Sequence, residues 1–163
     1  MTESVLTFAE VLSEMKLSNI ICRRMEVDRE SDGPAESVRL DSSFRFGLQE
    51  DQVLIEVGEE LNIMTTGEQP FAKMSATYVV IYALPGAQSL LSDQESLQQD
   101  ITRFAHMAAH PYIRASISDL GNQVGIPGLA LGFLRQGSTQ PETVTVLNKM
   151  FAFDNPEAST TKS

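Results

Sequence analysis

The sequence predicts an α+β fold in which a four-stranded antiparallel sheet carries a long kinked helix on one face. Four stretches of alternating apolar and polar residues follow one another in the first half of the chain, joined by short polar links. Apolar residues at helical spacing dominate only after Pro85-Gly86. Because parallel neighbours need a long crossover, short links predict an antiparallel meander, and one of its faces needs a helical cover.

The elements follow in order along the chain. A short amphipathic helix is predicted over Thr7 to Leu17, capped by Ser4 or Thr7. A first strand is predicted at 19–27, which is β-branched at its start and charged towards its end. Period-two alternation then predicts strands at 37–48, 53–65 and 71–84. The fourth strand is apolar on both sides, since Val79 and Ile81 lie opposite its main apolar face, so it needs cover on both faces.

The second half of the chain predicts helix. Ser92 to Glu95 fits a capping box, and a stripe of apolar residues follows at helical spacing. Pro111 should produce a kink or open a second, abutting helix that ends near Gly125. These helices exceed what the sheet requires, so the excess is expected to pack against another copy of the chain.

The segment after Gly125 is apolar but broken by Gly and Pro, so it is predicted to be extended. Its apolar residues are either ordinary core or the wall of a peptide-binding groove. A weak last helix is expected through Val144, Leu147 and Phe151, followed by a polar tail. The predicted organisation is one domain over 1–153, comprising an N-terminal helix (1–17), sheet (18–84), helix (92–125) and apolar loop (126–137), with a disordered tail at 154–163.

Composition restricts the class of function. The net charge of −10 argues against nucleic-acid binding and permits a basic protein partner. Cys22 is the single cysteine, which favours a reducing compartment. With no signal peptide and no apolar window long enough to span a membrane, a cytoplasmic protein is expected.

Residues with catalytic or metal-binding chemistry are few. His106 and His110 stand four apart, as in half a metal site, but no third ligand is evident. Cys22 is expected to be structural, and Arg114 to pair with Asp119 or another carboxylate. Neither enzymatic activity nor a cofactor is expected; a small-molecule enzyme using the histidines or carboxylates is the least favoured alternative.

Four carboxylates lie on two neighbouring predicted strands. On neighbouring strands they favour a solvated face over acid–base catalysis. If functional, Glu56 and Glu60 would dock a basic partner. The cluster comprises Asp41, Glu56, Glu59 and Glu60.

Two motifs carry a family resemblance. The run from His110 to Arg114, followed by Ser118-Asp119-Leu120, and the run from Gly125 to Gly132 resemble the signature of SecB and SecB-like chaperones. Pro111, Tyr112 and Arg114 match the start of its helix motif, and Pro127 opens its Pro-x-Leu-x-Leu loop. The resemblance covers roughly 17–134 and is specific in the last third of that range.

The resemblance implies a homotetramer, built as a dimer of dimers, that holds unfolded polypeptides without ATP in apolar grooves. By motif match, the loop side of a groove would be lined by Ile126, Leu129, Leu131 and Phe133, while Tyr112 and Arg114 would set the helix that anchors the loop. Tyr78 and Tyr82, on the fourth strand, are added from the strand pattern as the facing wall.

The resemblance leaves the role open between protein export and antitoxin protection. The residues 155–163 lack the basic, Cys- and His-containing tail with which export chaperones dock the SecA motor, which puts SecA in doubt. The His-Pro-Tyr and Leu-Gly variants are closer to the branch that guards antitoxins. The partners implied are therefore unfolded preproteins or, as a dedicated alternative, a single antitoxin.

Overall fold

The computed structural model describes residues 6–134, 136, 138–146 and 149–152. The predicted tail, Ser4 as a cap and Leu147 lie outside the described residues. The elements are α1 (Phe8–Glu14), β1 (Lys16–Arg29), β2 (Ala35–Gln49), β3 (Gln52–Thr65), β4 (Pro70–Ala83), α2 (Ala87–Leu91), α3 (Glu95–Gln123), β5 (Ala130–Leu131), β6 (Thr143–Val146) and β7 (Lys149–Ala152).

The predicted four-stranded antiparallel sheet is confirmed, with the strand order β1-β4-β3-β2. β2, β3 and β4 form the predicted meander, but placing β1 beside β2 was wrong, because β1 pairs with β4. The five residues between β1 and β2 can span the roughly 14 Å across three strand spacings. Their path begins over β4, where the Glu30 amide donates to the Phe71 carbonyl and the Ser31 hydroxyl to the Pro70 carbonyl.

The alternation along β3 and β4 divides the sheet into two unlike faces. The helix-side face carries the core, and its β3 members Val53, Ile55, Val57, Leu61 and Ile63 are all 0% exposed. The opposite, outer face carries the charged residues predicted to point outward: Arg39, Asp41, Arg45, Glu56 and Glu60. No described element covers this outer face, although the sequence predicted cover for both sides of β4.

Helix α1 begins with the predicted Thr7 cap. The Thr7 hydroxyl accepts from the Glu10 amide at 3.3 Å, and the Glu10 carboxylate accepts from the Thr7 amide at 2.8 Å, a complete capping box. The helix ends at Glu14, earlier than predicted, because β1 already begins at Lys16.

Helix α3 is one continuous element, so of the two alternatives expected at Pro111, a kink or a second abutting helix, the second helix does not occur. Pro111 removes one helical N–H. The buried stripe that begins with Leu97 nevertheless continues through Ile113 and Ile117, and its packing on the sheet holds the helix together across the proline. The capping box predicted at Ser92 was also wrong, because Ser92 closes α2, and Gln94 precedes α3 without a side-chain cap.

A second small sheet, β5-β6-β7, replaces the helix predicted over Val144 to Phe151. The Thr-Val-Thr-Val run of β6 is β-branched at every position, which favours a strand. Val144 and Val146 are buried, so this sheet extends the core beyond the end of α3.

Candidate functional site

The segment that follows α3 is tied to that helix by polar side chains. His110 Nε2 donates to the Gly132 carbonyl at 2.9 Å, and Arg114 Nε donates to the Leu131 carbonyl at 2.9 Å. The Arg114 guanidinium also lies 4.7 Å from the centre of the Phe133 ring. Arg114 thus binds a backbone carbonyl and an aromatic face instead of the carboxylate that the sequence suggested.

Three of the four residues predicted to line the loop side of a groove are not accessible. Ile126, Leu129 and Leu131 are 0–1% exposed, so in this conformation they are core and their assignment as open groove wall was wrong. Leu129 lies directly on the backbone of Gly121, where an added Cβ would be 2.8 Å from Leu129 Cδ2. Phe133 is the exception at 71% exposed, and Pro127 is exposed in the turn before β5.

A fully buried polar pair joins α3 to the sheet. His106 Nε2 lies 2.7 Å from Glu59 Oε1, and both side chains are essentially inaccessible (1% and 0% exposed). The Ser42 hydroxyl donates to the other Glu59 oxygen at 2.6 Å. Because Glu59 lies on the helix side, it is separated by the sheet from Glu56 and Glu60, and the predicted carboxylate cluster does not form.

The two histidines point to different partners. His106 contacts Glu59 and His110 contacts Gly132, and among the described residues no group of three or more His, Cys, Asp or Glu side chains is arranged to hold a metal ion. Sequence reasoning missed the His106–Glu59 pair, although one signal was present. Glu59 occupies a position of β3 whose neighbours in the period-two pattern, Val57 and Leu61, face inwards.

Burial controls the titration of His110. A carbonyl oxygen only accepts, so Nε2 carries the hydrogen, while Nδ1 is buried without a hydrogen-bond partner in the described part of the chain. Burial lowers the pKa of His110, because a second proton would place a charge in this dry environment. The contact is therefore made by the neutral imidazole.

Tyr78 and Tyr82 were predicted to line the facing wall of a groove. Both side chains are buried (8% and 2% exposed), so they do not form an accessible wall. The Tyr78 hydroxyl is hydrogen-bonded to Ser116 Oγ at 2.6 Å. Burial raises the pKa of Tyr82 to about 12. Each ring contacts an exposed aromatic ring of α3 at a centroid distance of 6.0 Å, Tyr78 with Tyr112 and Tyr82 with Phe104.

These exposed rings belong to a surface that we name the β1–α3 strip. Its four members are Leu17 (54% exposed) and Met25 (39%) on β1, with Phe104 (37%) and Tyr112 (51%) on α3. Leu17 pairs with Tyr82 and Met25 with Ala76, both buried on the helix side, so the β1 members lie on that face as well. The outer edge of β1 has no strand partner among the described residues, which leaves backbone donors and acceptors free.

Helix α3 presents a second exposed stripe, away from the sheet. Met107, Pro111 and Ala115 are exposed at positions four apart, and we name them the outer α3 face. On its β2 side the helix borders a cleft of about 320 Å³ between Phe44 and Phe46 on one side and Thr102 and His106 on the other.

The two carboxylates predicted to dock a basic partner lie on the outer face of the sheet, and both have cationic partners. Glu56 Oε2 is 2.7 Å from Arg23 Nη1, and Glu56 Oε1 is 3.9 Å from Arg45 Nη1. Glu60 is 3.2 Å from Lys73 Nζ, and hydrogen bonds led by that from Asn62 lower the pKa of Glu60. Neither carboxylate is a free docking group.

The sheet, the long helix packed on one of its faces and the segment folded back along that helix define the SecB-like fold. The chain is similar to the solved structure of the Mycobacterium tuberculosis SecB-like chaperone Rv1957 in complex with a ChAD peptide from the Rv1956 HigA1 antitoxin. The TM-score is 0.67 at 17% sequence identity, over 78% of this chain and 95% of that chain. This similarity shows the fold.

Comparisons by sequence add nothing to this assignment. No family model matches the sequence, and no curated protein matches it. In the part of the chain that is described, none of the helices is both long and apolar enough to cross a bilayer.

Proposed function

We propose that this protein is a cytoplasmic, ATP-independent chaperone that holds unfolded polypeptides, and that the β1–α3 strip is its client-binding surface. The observation that carries the proposal is the strip itself, in which Leu17, Met25, Phe104 and Tyr112 are each more than one third exposed beside an unpaired strand edge. The strip follows β1 and α3 along one side of the sheet, and exposed apolar area of this kind marks a contact site. The SecB-like fold supports the same function.

The chemistry of the strip suits clients without a fixed sequence. Aromatic rings and a methionine offer adaptable contacts with different apolar side chains. The free edge of β1 offers hydrogen bonds that any extended backbone can make. The net charge of −10 attracts basic unfolded segments before apolar contact retains them.

The polar groups support a binding function over catalysis. His106 and Glu59 are buried against each other, and His110 and Arg114 bind backbone carbonyls. None of these four side chains is an accessible acid, base or nucleophile presented to a substrate. We therefore propose no catalytic residue.

We further propose that the chain forms a homotetramer, with the outer α3 face as the contact between copies. Pro111 and Ala115 are small, so two helices can approach closely there, and Met107 fills the space between them. The client can be an antitoxin or a wider set of unfolded proteins. The Rv1957 structure holds an antitoxin peptide, which supports the first alternative.

Light scattering from an aggregating client tests the proposed function. We expect the protein to suppress aggregation at stoichiometric amounts, and the double variant Phe104→Ser/Tyr112→Ser to lose most of this effect while its melting temperature stays close to that of the parent. Phe133→Ser is the matched control, because Phe133 is an aromatic residue outside the strip that is even more exposed (71%) than Phe104 and Tyr112. If Phe133→Ser alone abolishes suppression, the site lies on the post-helix segment and the strip assignment is wrong.

A competition experiment separates the two kinds of client. Labelled peptides from an antitoxin and from an unrelated unfolded protein are titrated against the chaperone. Similar affinities support a general holding function, whereas binding of the antitoxin peptide alone supports a dedicated partner.

A further inference from the structure

The outer face of the sheet carries an apolar patch that the proposed function does not use. Ile21, Val79, Ile81 and Leu54 lie next to one another on three adjacent strands, since Ile21 pairs with Val79 and Ile81 pairs with Leu54. Ile21 is 44% exposed and the other three are half-buried. We name these four residues the outer patch.

Positive charges outnumber negative charges beside the outer patch. Arg23 and Arg45 share the single carboxylate of Glu56, at 2.7 and 3.9 Å. Both arginine side chains stay largely in solvent (63% and 78% exposed), while Glu56 is only 23% exposed. The rim of the patch therefore carries an excess of positive charge, in a chain whose net charge is −10.

The other described arginines of this face and Lys73 are each paired with one carboxylate. Arg24 is paired with Glu26, Arg39 with Asp41 and Lys73 with Glu60, each within 3.2 Å. These pairs present no excess of either sign. The outer patch is thus the one part of the described outer face where apolar area and uncompensated guanidinium charge coincide.

We propose that the outer patch docks an acidic amphipathic helix of a partner protein. Three neighbouring strands measure about 10 Å across, which matches the roughly 10–12 Å diameter of a helix. A helix laid on a flat sheet buries one apolar stripe, the arrangement that covers most sheet faces. Carboxylates flanking that stripe pair with Arg23 and Arg45, whose planar guanidinium groups bind carboxylates through two hydrogen bonds.

The test uses two designed helical peptides that share one leucine stripe. One peptide has glutamate and its twin has lysine at every flanking position. Fluorescence anisotropy of each labelled peptide is measured against the full chain. We expect the glutamate peptide to bind at least about tenfold more tightly than the lysine peptide, with affinity falling as salt rises.

Variants locate the binding site. Arg45→Gln and Ile81→Thr should each weaken the glutamate peptide severalfold, and NMR shifts should centre on Ile21, Val79 and Leu54. Arg39→Gln is the matched control, because Arg39 lies on the same face but is paired with Asp41.

Equal binding of both peptides, no binding of either, or shifts centred on the β1–α3 strip would overturn the proposal. Client holding through the strip does not depend on it, so suppression of aggregation stays unchanged in Arg45→Gln whichever result is obtained.

Discussion

Gly121 determines how closely the post-helix segment lies on α3. A Cβ at this position would be 2.8 and 2.9 Å from Leu129 atoms and 3.2 Å from the Ile126 carbonyl oxygen. Alanine normally stabilises a helix relative to glycine. Here we expect Gly121→Ala to lower the free energy of unfolding by about 1–3 kcal/mol, because the close atoms include Leu129 Cβ and the Ile126 carbonyl oxygen, which can move only with the backbone.

Urea unfolding monitored by circular dichroism measures this change. Gly47→Ala is the control, because the nearest atom to its added Cβ is 3.7 Å away, and its stability should change by less than about 1 kcal/mol. Equal stabilities of Gly121→Ala and the parent would show that the segment adjusts freely to α3.

His110 makes stability depend on pH in a direction that the structure determines. Its pKa is lowered on folding by burial, so the unfolded chain binds the second proton more readily than the folded one. The stability contributed by neutral His110 is complete above the unfolded pKa of about 6.5 and is lost as the pH falls through the folded value. The melting temperature should therefore fall as the pH is lowered below about 6.5.

His110→Gln isolates this contribution. Glutamine retains an N–H donor for the Gly132 carbonyl but does not titrate in this range. Differential scanning calorimetry should show a smaller loss of melting temperature in His110→Gln than in the parent over the same pH steps. Parallel pH profiles for the two proteins would assign the acid sensitivity to other groups.

At the residue scale, sequence reasoning identified the relevant polar side chains but not their partners. Arg114 was assigned to a carboxylate and in fact binds the Leu131 carbonyl, and His106 was considered as a metal ligand and binds Glu59. Such contacts join residues 17 and 47 positions apart, and one-dimensional spacing carries no information about them.

At the scale of elements, the strands were predictable because one face is buried and the other is wet. The alternation of apolar and polar residues along β2 and β3 follows this difference directly. The place of β1 was not predictable, since a five-residue link permits either edge of the sheet. The helix predicted in place of β6 was wrong because Val144, Leu147 and Phe151 also fit a helical spacing, whereas the β-branched run Thr143–Val146 favours a strand.

Helix α1 offers a test of a local signal that the sequence did reveal. Thr7→Ala removes the hydroxyl that accepts from the Glu10 amide, and we expect it to cost about 1 kcal/mol. Ser13→Ala is the control, because the Ser13 hydroxyl donates to the Glu10 carbonyl within the same exposed helix and does not cap it. Chemical denaturation of both variants should separate them, and equal stabilities would mean that α1 is held by packing alone, such as the contact of Phe8 with Phe104.

At the scale of the whole molecule, the candidate groove was only partly predictable. The motif identified the segment after α3 correctly as apolar, but whether its side chains face the core or solvent depends on how it folds back. The structure buries Leu129 and Leu131 and leaves Phe104 and Tyr112 accessible, so the proposed client surface moves from the loop to the β1–α3 strip.

The proposed homotetramer depends on the outer α3 face. Light scattering coupled to size exclusion should give a mass four times the 17.9 kDa of one chain. Met107 is 43% exposed in the single chain. Met107→Glu would place a carboxylate from each copy in the proposed contact, where unpaired charges are strongly unfavourable once water is excluded. We expect the variant to elute as a dimer or monomer, and each chain to stay folded.

Met150→Glu is the matched control, because Met150 is 72% exposed on β7, away from α3, and should leave the mass unchanged. A parent protein that elutes as a monomer, or a tetramer that persists in Met107→Glu, would show that the copies do not meet through this face of the helix.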